Sequence, residues 1–326
     1  MIVPRFWAES RLQNRTDGRQ RTLYRFGWSN ESAAAAQAMA DERVRAAMEQ
    51  ALSGARVDQR EPKVPYNGAD GLPIREEILS EHGEVVITRN SYGARCLNTP
   101  HLLLADIDFE ASHSTGRVEV AATLLTIGAI CAFWIHSGSF GNAVAGGVGV
   151  LVLGLMAWAA IRRVRVWLGG GDEQFALRRV RAWVSSHRDW RVHVYRTPLG
   201  LRLLVDHRRF DPTEPAVDEL FKGVGVDPMY RRMCRLQRCF RARLTAKPWR
   251  IGIDAHLKPR PGVWPVRPAR LPERTRWVTD YEARATAFAA CRFLETLGSG
   301  SPAPELRAEK ALHDELSGAH SGKPIA

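Results

Sequence analysis

The sequence predicts an α+β fold: a cytoplasmic mixed-sheet domain interrupted by a two-helix transmembrane hairpin. Three observations lead there. Strand and helix candidates lie on both sides of one long apolar run, with no internal repeat. That run extends from Val120 to Ile161 without a single Asp, Glu, Lys or Arg. The chain is also strongly basic, with 47 Lys and Arg against 35 Asp and Glu and a formal charge of +12 at pH 7.

The apolar run is too long for one membrane crossing and long enough for two. A helix needs about 20 apolar residues to cross a hydrocarbon layer about 30 Å thick. Val120–Ile135 and Asn142–Ile161 are two such segments, linked by His136–Gly141. Spans are expected at about 118–136 and 142–161, because only helices or closed barrels satisfy their backbones in lipid and no strand alternation is present. Arg117 before the pair and Arg162, Arg163 and Arg165 after it mark a cytoplasmic flank on each side. The expected location is a bacterial inner membrane with both termini cytoplasmic and the lipid bilayer as a partner. The alternative is a hairpin buried in a large core. The expected organisation is 1–117 and 167–298 as two halves of one domain, 118–166 as the membrane hairpin, and 299–326 as a flexible tail.

The N-terminal segment reads as a β-hairpin, Ile2–Leu12 and Arg21–Gly27, turning at Thr16-Asp17-Gly18-Arg19. An Ala-rich helix follows from about Glu31 to Leu52, capped by Ser29 or Asn30 and ended by Gly54. A short helix is expected around Ile74–Ser80. Strands are expected at Glu84–Asn90, Ala94–Leu97 and Leu102–Phe109, the last with the continuous apolar run of a buried strand. Beyond the insert come a helix at Asp172–Ser186 and strands at Val192–Arg196 and Leu201–Asp206. Helical segments are expected at Val217–Lys222, Pro228–Cys239 and Asp280–Leu297, with a weak one at Glu305–Leu316. Pro259–Pro272 reads as extended.

The five cysteines are odd in number and form no C-x-x-C pair, so neither a disulfide framework nor a zinc site is expected. Met1–Trp28 has no apolar stretch of signal-peptide type. Gly169-Gly170-Gly171 lacks phosphate-loop spacing. The positive charge is concentrated: Arg231–Arg250 carries eight basic residues and no acid, with Phe240 and Trp249 among them. Such a stretch suits nucleic acid or an anionic lipid surface.

Asp106 and Asp108 are the sharpest site candidates. Residues two apart on a strand share a face, so their carboxylates lie side by side at the end of Leu102–Phe109, with Glu110 in the same phase. Two such acids commonly hold a divalent cation, Mg or Mn, for phosphoryl or nucleotidyl transfer.

A strand ending in D-x-D, then a helix, then a hairpin with YRTPLGLRLLV, then basic FRARLTAKPWR resembles the archaeo-eukaryotic primase (primase-polymerase) superfamily. The resemblance covers about residues 84–110 and 172–255. It implies metal ligands at Asp106 and Asp108, so catalytic roles for both. It places Thr197 and Gly200 at the small residues of the second motif and Arg202 where that family has histidine. Arginine pairs with phosphate but exchanges no proton near neutral pH. Arg241, Arg243, Lys247 and Arg250 fall in the basic stretch, and Asp227 and Asp254 are candidates for a third acid. The implied function is a nucleotide- or single-stranded-nucleic-acid-binding domain, with nucleotidyltransferase chemistry left open. The alternative is a non-enzymatic membrane protein whose basic face binds anionic lipid or a protein partner.

Overall fold

The computed structural model describes residues 3–16, 19–61, 72–109, 128, 154, 170–260, 262 and 264–326. It opens with a long antiparallel ribbon, β1 (Phe6–Thr16) and β2 (Arg19–Ser29), whose turn at Asp17 and Gly18 lies outside the described residues. Helix α1 (Ala33–Leu52) packs on it. Its N-cap is Ser32, whose Oγ accepts from the Ala35 N–H at 3.1 Å, rather than Ser29 or Asn30. The buried face of α1 is Ala36, Ala40, Val44, Ala47, Met48 and Ala51, small side chains at helical spacing that let helix and ribbon approach closely. Gly27 sits at the tightest point, where a Cβ would lie 2.2 Å from the Ala36 carbonyl oxygen.

The first four-stranded sheet joins β3 (Glu77–His82), β4 (Val85–Arg89), β5 (Arg95–Thr99) and, from far along the chain, β9 (Phe240–Arg243), in the order β3-β4-β5-β9, all antiparallel. The segment expected as a helix at Ile74–Ser80 is instead the start of β3. Gly83, at φ 61, turns the chain so that His82 and Val85 pair at once, and the ladder outcompetes a helix too short to hold itself.

The second sheet has the order β10-β7-β8-β6 and is also antiparallel. It is built from β6 (Leu103–Asp108), β7 (Val192–Thr197), β8 (Gly200–Val205) and β10 (Arg292–Leu297). Leu103, Leu104, Leu203, Leu204, Val192 and Val194 are fully buried, which stabilises the fold by about 1.5–3 kcal/mol per side chain. Helices α2 (Gly171–Ser185) and α3 (Pro215–Val224) add Val180, Val184, Leu220 and Phe221 to the same core. Helix α4 (Pro228–Gln237) leads into β9, and α5 (Leu271–Ala285) precedes β10. The helix expected over Asp280–Leu297 therefore ends at Ala285. Arg292–Leu297 pairs with β7, with a bulge between Phe293 and Glu295. Residues 299–326, expected as a tail, include helix α6 (Arg307–Ser317), and Leu306 and His313 are fully buried.

Among the described residues no helix is long and apolar enough to cross a membrane. The longest, α1, has 20 residues but carries Asp41, Glu42, Arg43, Arg45 and Glu49. Those charges exclude a span even though its length would suffice. The expectation of a transmembrane hairpin, an integral membrane protein and an inner-membrane location is corrected on this finding. The segments expected as spans, 118–136 and 142–161, lie outside the described residues apart from Gly128 and Gly154.

Candidate functional site

The two four-stranded sheets meet along β6 and β9, and the site forms at that seam. Register places Arg202 of β8 opposite Asp106 of β6, and Gly200 opposite Asp108. A Cβ on Gly200 would lie 2.0 Å from the Ile107 carbonyl oxygen, so only glycine lets β8 run beside β6 here.

Arg202 is 2% exposed. Its Nε donates to Asp106 Oδ1 at 2.8 Å and its Nη2 to Oδ2 at 3.3 Å, while Nη1 donates to the Arg243 carbonyl at 2.8 Å. Burial opposes the guanidinium charge, but Asp106 outweighs it and holds the pKa above that of ordinary arginine. Tyr230 of α4 makes a second tie between the sheets. Its hydroxyl donates to the Leu104 carbonyl at 2.8 Å or the Arg241 carbonyl at 3.0 Å and accepts from the Arg241 N–H at 3.2 Å.

A cavity of about 390 Å³ opens at this seam. All seven residues singled out from the sequence line it: Asp106, Asp108, Arg202, Arg241, Arg243, Lys247 and Arg250. Their roles divide. Arg241 is buried and committed, its Nη2 held by both Glu76 oxygens at 2.8 and 2.6 Å and its Nη1 by Asn98 Oδ1 at 3.1 Å. Arg202 is committed to Asp106. Of the candidate third acids, Glu110 lies outside the described residues, Asp227 lines the cavity but caps α4, its Oδ1 accepting from the Met229 N–H at 3.1 Å, and Asp254 does not line it.

Arg243, Lys247 and Arg250 form the open basic wall. Arg243 leaves β9 and donates to the Thr245 and Ala326 carbonyls. The chain then makes a 3-10 turn, Pro248–Arg250, with the Arg250 N–H donating to the Lys247 carbonyl at 2.9 Å. Lys247, extended just before that turn, and Arg250 at its end both line the cavity. Burial and then Arg243 and Arg250 push the Lys247 pKa down. Burial and then Arg243 do the same to Arg250. Asp108 and Asp106 act on Lys247 in the opposite sense.

Tyr92 also lines the cavity, and Trp249 packs against it from outside the lining. Trp249 is 45% exposed and meets Tyr92 edge-on with centroids 5.4 Å apart, and Lys247 Nζ lies 5.4 Å from its ring centre. Burial raises the Tyr92 phenol to about 12, so it stays neutral. Tyr92 and Glu76 escaped sequence reasoning, because neither stands in a recognisable motif and only the fold of β3–β5 against β9 brings them in.

The carboxylates at the seam do not suit the expected divalent cation. Asp106 already gives both oxygens to a buried guanidinium, which occupies the place of a counter-ion, and a dication beside it would meet Arg202 directly. Among the described residues no group of three His, Cys, Asp or Glu is placed to hold a metal. The residues fit an arginine-bridged carboxylate and an anionic ligand rather than a Mg or Mn centre. The chain matches no protein-family profile, no curated protein and no solved structure.

Proposed function

We propose that the seam cavity binds the phosphates of a nucleotide or single-stranded nucleic acid, with a base stacked on Trp249. One observation carries the reading. Arg243, Lys247 and Arg250 line one cavity near an exposed tryptophan, and burial, followed by the neighbouring cations, lowers the pKa of Lys247 and of Arg250. Such crowding is unfavourable until an anion arrives, and a phosphate satisfies several cations at once. Stacking on an aromatic ring contributes about 1–3 kcal/mol per base and tolerates any base. The resemblance to primase-polymerases points to the same ligand class. The Arg202–Asp106 pair favours binding over metal-assisted transfer.

Fluorescence anisotropy with a labelled single-stranded oligonucleotide tests this. The wild-type protein should bind at low salt and weaken steeply as salt rises. Arg243→Ala/Lys247→Ala/Arg250→Ala should lose most of that binding while keeping the wild-type circular dichroism spectrum, and Lys247→Ala/Arg250→Ala, which leaves the Arg243 bonds to Thr245 and Ala326 in place, should lose part of it. Equal binding by wild type and the triple variant, or none by either at low salt, overturns the proposal.

A further inference from the structure

Half of the basic stretch is not used by the cavity. Arg231, Arg232, Arg235 and Arg238 belong to α4 or its C-cap and face away from the core that Tyr230, Met233 and Cys234 enter. Arg231 is paired with Asp218. Arg232, Arg235 and Arg238 are exposed, and no salt bridge to them is present among the described residues. Arg238 acts electrostatically on Asp211, whose carboxylate accepts from the Thr213 N–H at 2.7 Å and from its hydroxyl at 2.6 Å. A second, open cavity of about 640 Å³ lies against this face, lined by Thr213, Pro228, Arg231, Arg232, Arg235 and Leu236. Leu236 is 41% exposed.

The two cavities are lined by neighbouring residues of the start of α4. Asp227 lines the first and Pro228 the second, and consecutive Cα atoms are only about 3.8 Å apart. Tyr230 faces one and Arg231 the other, so the first turn of α4 is a shared wall. The arginine row lies on the far side of that turn from the seam. A spacing of three residues puts Arg232 and Arg235 on neighbouring turns of one face, with Arg238 at the left-handed C-cap beyond them.

We infer that the arginine face of α4 is a continuation site for single-stranded nucleic acid whose end sits in the seam cavity. The inference rests on the proposed function and extends it from a nucleotide-sized site to a track. A second row of backbone contacts, away from the end held in the seam, would give the protein a preference for long strands over short ones. Charge complementarity argues for this occupant: a run of guanidinium groups with no acid interleaved, set beside an exposed Leu, matches a phosphodiester chain with its bases.

The test compares oligodeoxythymidylates of about four and about sixteen nucleotides, the range of single-strand site sizes. Wild type and Arg232→Ala/Arg235→Ala/Arg238→Ala are titrated at several salt concentrations. All three arginines are exposed, so the variant should melt with wild type. The short oligonucleotide should bind both proteins equally. The long one should lose about tenfold or more in affinity in the variant, and its log–log salt slope should fall by about 0.7 per lost contact. Equal long-strand affinity and slope in both proteins, with short-strand binding intact, overturns the track alone. Loss of short-strand binding in wild type overturns the proposed function itself. Competition by polyglutamate as effective as by the oligonucleotide would make α4 a general polyanion or acidic-protein surface and would also overturn the inference.

Discussion

Arg202 lies directly across the β8–β6 ladder from Asp106 and closes on it in a two-point salt bridge, Nε to Oδ1 at 2.8 Å and Nη2 to Oδ2 at 3.3 Å. The same guanidinium reaches the Arg243 backbone, so one side chain neutralises a carboxylate and ties the second sheet to the first. The cavity between them depends on this link for its shape.

Removing Asp106 should therefore damage the fold more than its partly open position suggests. Asp106→Ala leaves a buried guanidinium without its counter-charge, a change that costs about 3–5 kcal/mol when both partners are buried. With the Asp106 side chain about 33% exposed, water offsets part of this, and about 2 kcal/mol is expected. Arg202→Met/Asp106→Leu should recover most of the loss. Urea unfolding checks it, and an Asp106→Ala midpoint equal to that of wild type contradicts it.

Much of this site was legible in the sequence. The phase of Asp106 and Asp108 on an apolar strand puts them on one face whatever the fold. The acid-free spacing of Arg231–Arg250 marks a basic surface. Which arginines are free was not legible. Arg241 and Arg202 are absorbed by Glu76 and Asp106, and those pairings depend on strand register between segments that sequence spacing does not relate. The helix expected at Ile74–Ser80 failed because its propensity yields to pairing across Gly83. The helix placed over Asp280–Leu297 overran because the residues after Ala285 find partners on β7, a long-range contact invisible to local pattern. The apolar run that dominated the membrane reading lies almost wholly outside the described residues.

Asp108 should oppose ligand binding. It lies at the exposed end of β6 and acts electrostatically on Lys247 and Arg250. Asp108→Asn should tighten oligonucleotide binding a few-fold, and chelation of divalent cations with EDTA should leave wild-type affinity unchanged. A metal bridge between Asp108 and phosphate would reverse both results, since the variant and the chelator would each weaken binding.

Binding should also depend on pH through Lys247, whose pKa is lowered in the free protein by burial and by Arg243 and Arg250. A phosphate raises that pKa again, so binding takes up a proton in the interval between the two values. Affinity should fall as pH rises through the lowered pKa, earlier than an ordinary lysine would allow. Lys247→Arg should flatten the profile, because guanidinium keeps its charge. Identical profiles for the two proteins would rule Lys247 out as the titrating group.

His313 sets an acid limit on stability. It is fully buried against Arg202 and Asp314, and burial, reinforced by Arg202, lowers its pKa. The unfolded chain then binds a proton, near pH 6.5, that the folded chain resists. The His313 contribution is intact above that pH and is lost as pH falls through the lowered folded value. His207, also lowered by burial, acts in the same direction. The melting temperature should drop between pH 7.5 and pH 5, and His313→Gln should drop less. An equal drop in both would assign the acid sensitivity elsewhere.

The central claim is that the ligand lies in the seam between β6 and β9, and photo-crosslinking tests it most directly. An oligonucleotide carrying 5-iodouracil near its end is irradiated with wild-type protein, and the adduct is mapped by mass spectrometry. Adducts at Trp249 or Tyr92, abolished when Arg243, Lys247 and Arg250 are all replaced by Ala, are the predicted result. Adducts confined to the aromatic side chains of the β1–β2 ribbon, unaffected by that triple substitution, would place the ligand on a different surface and contradict the account.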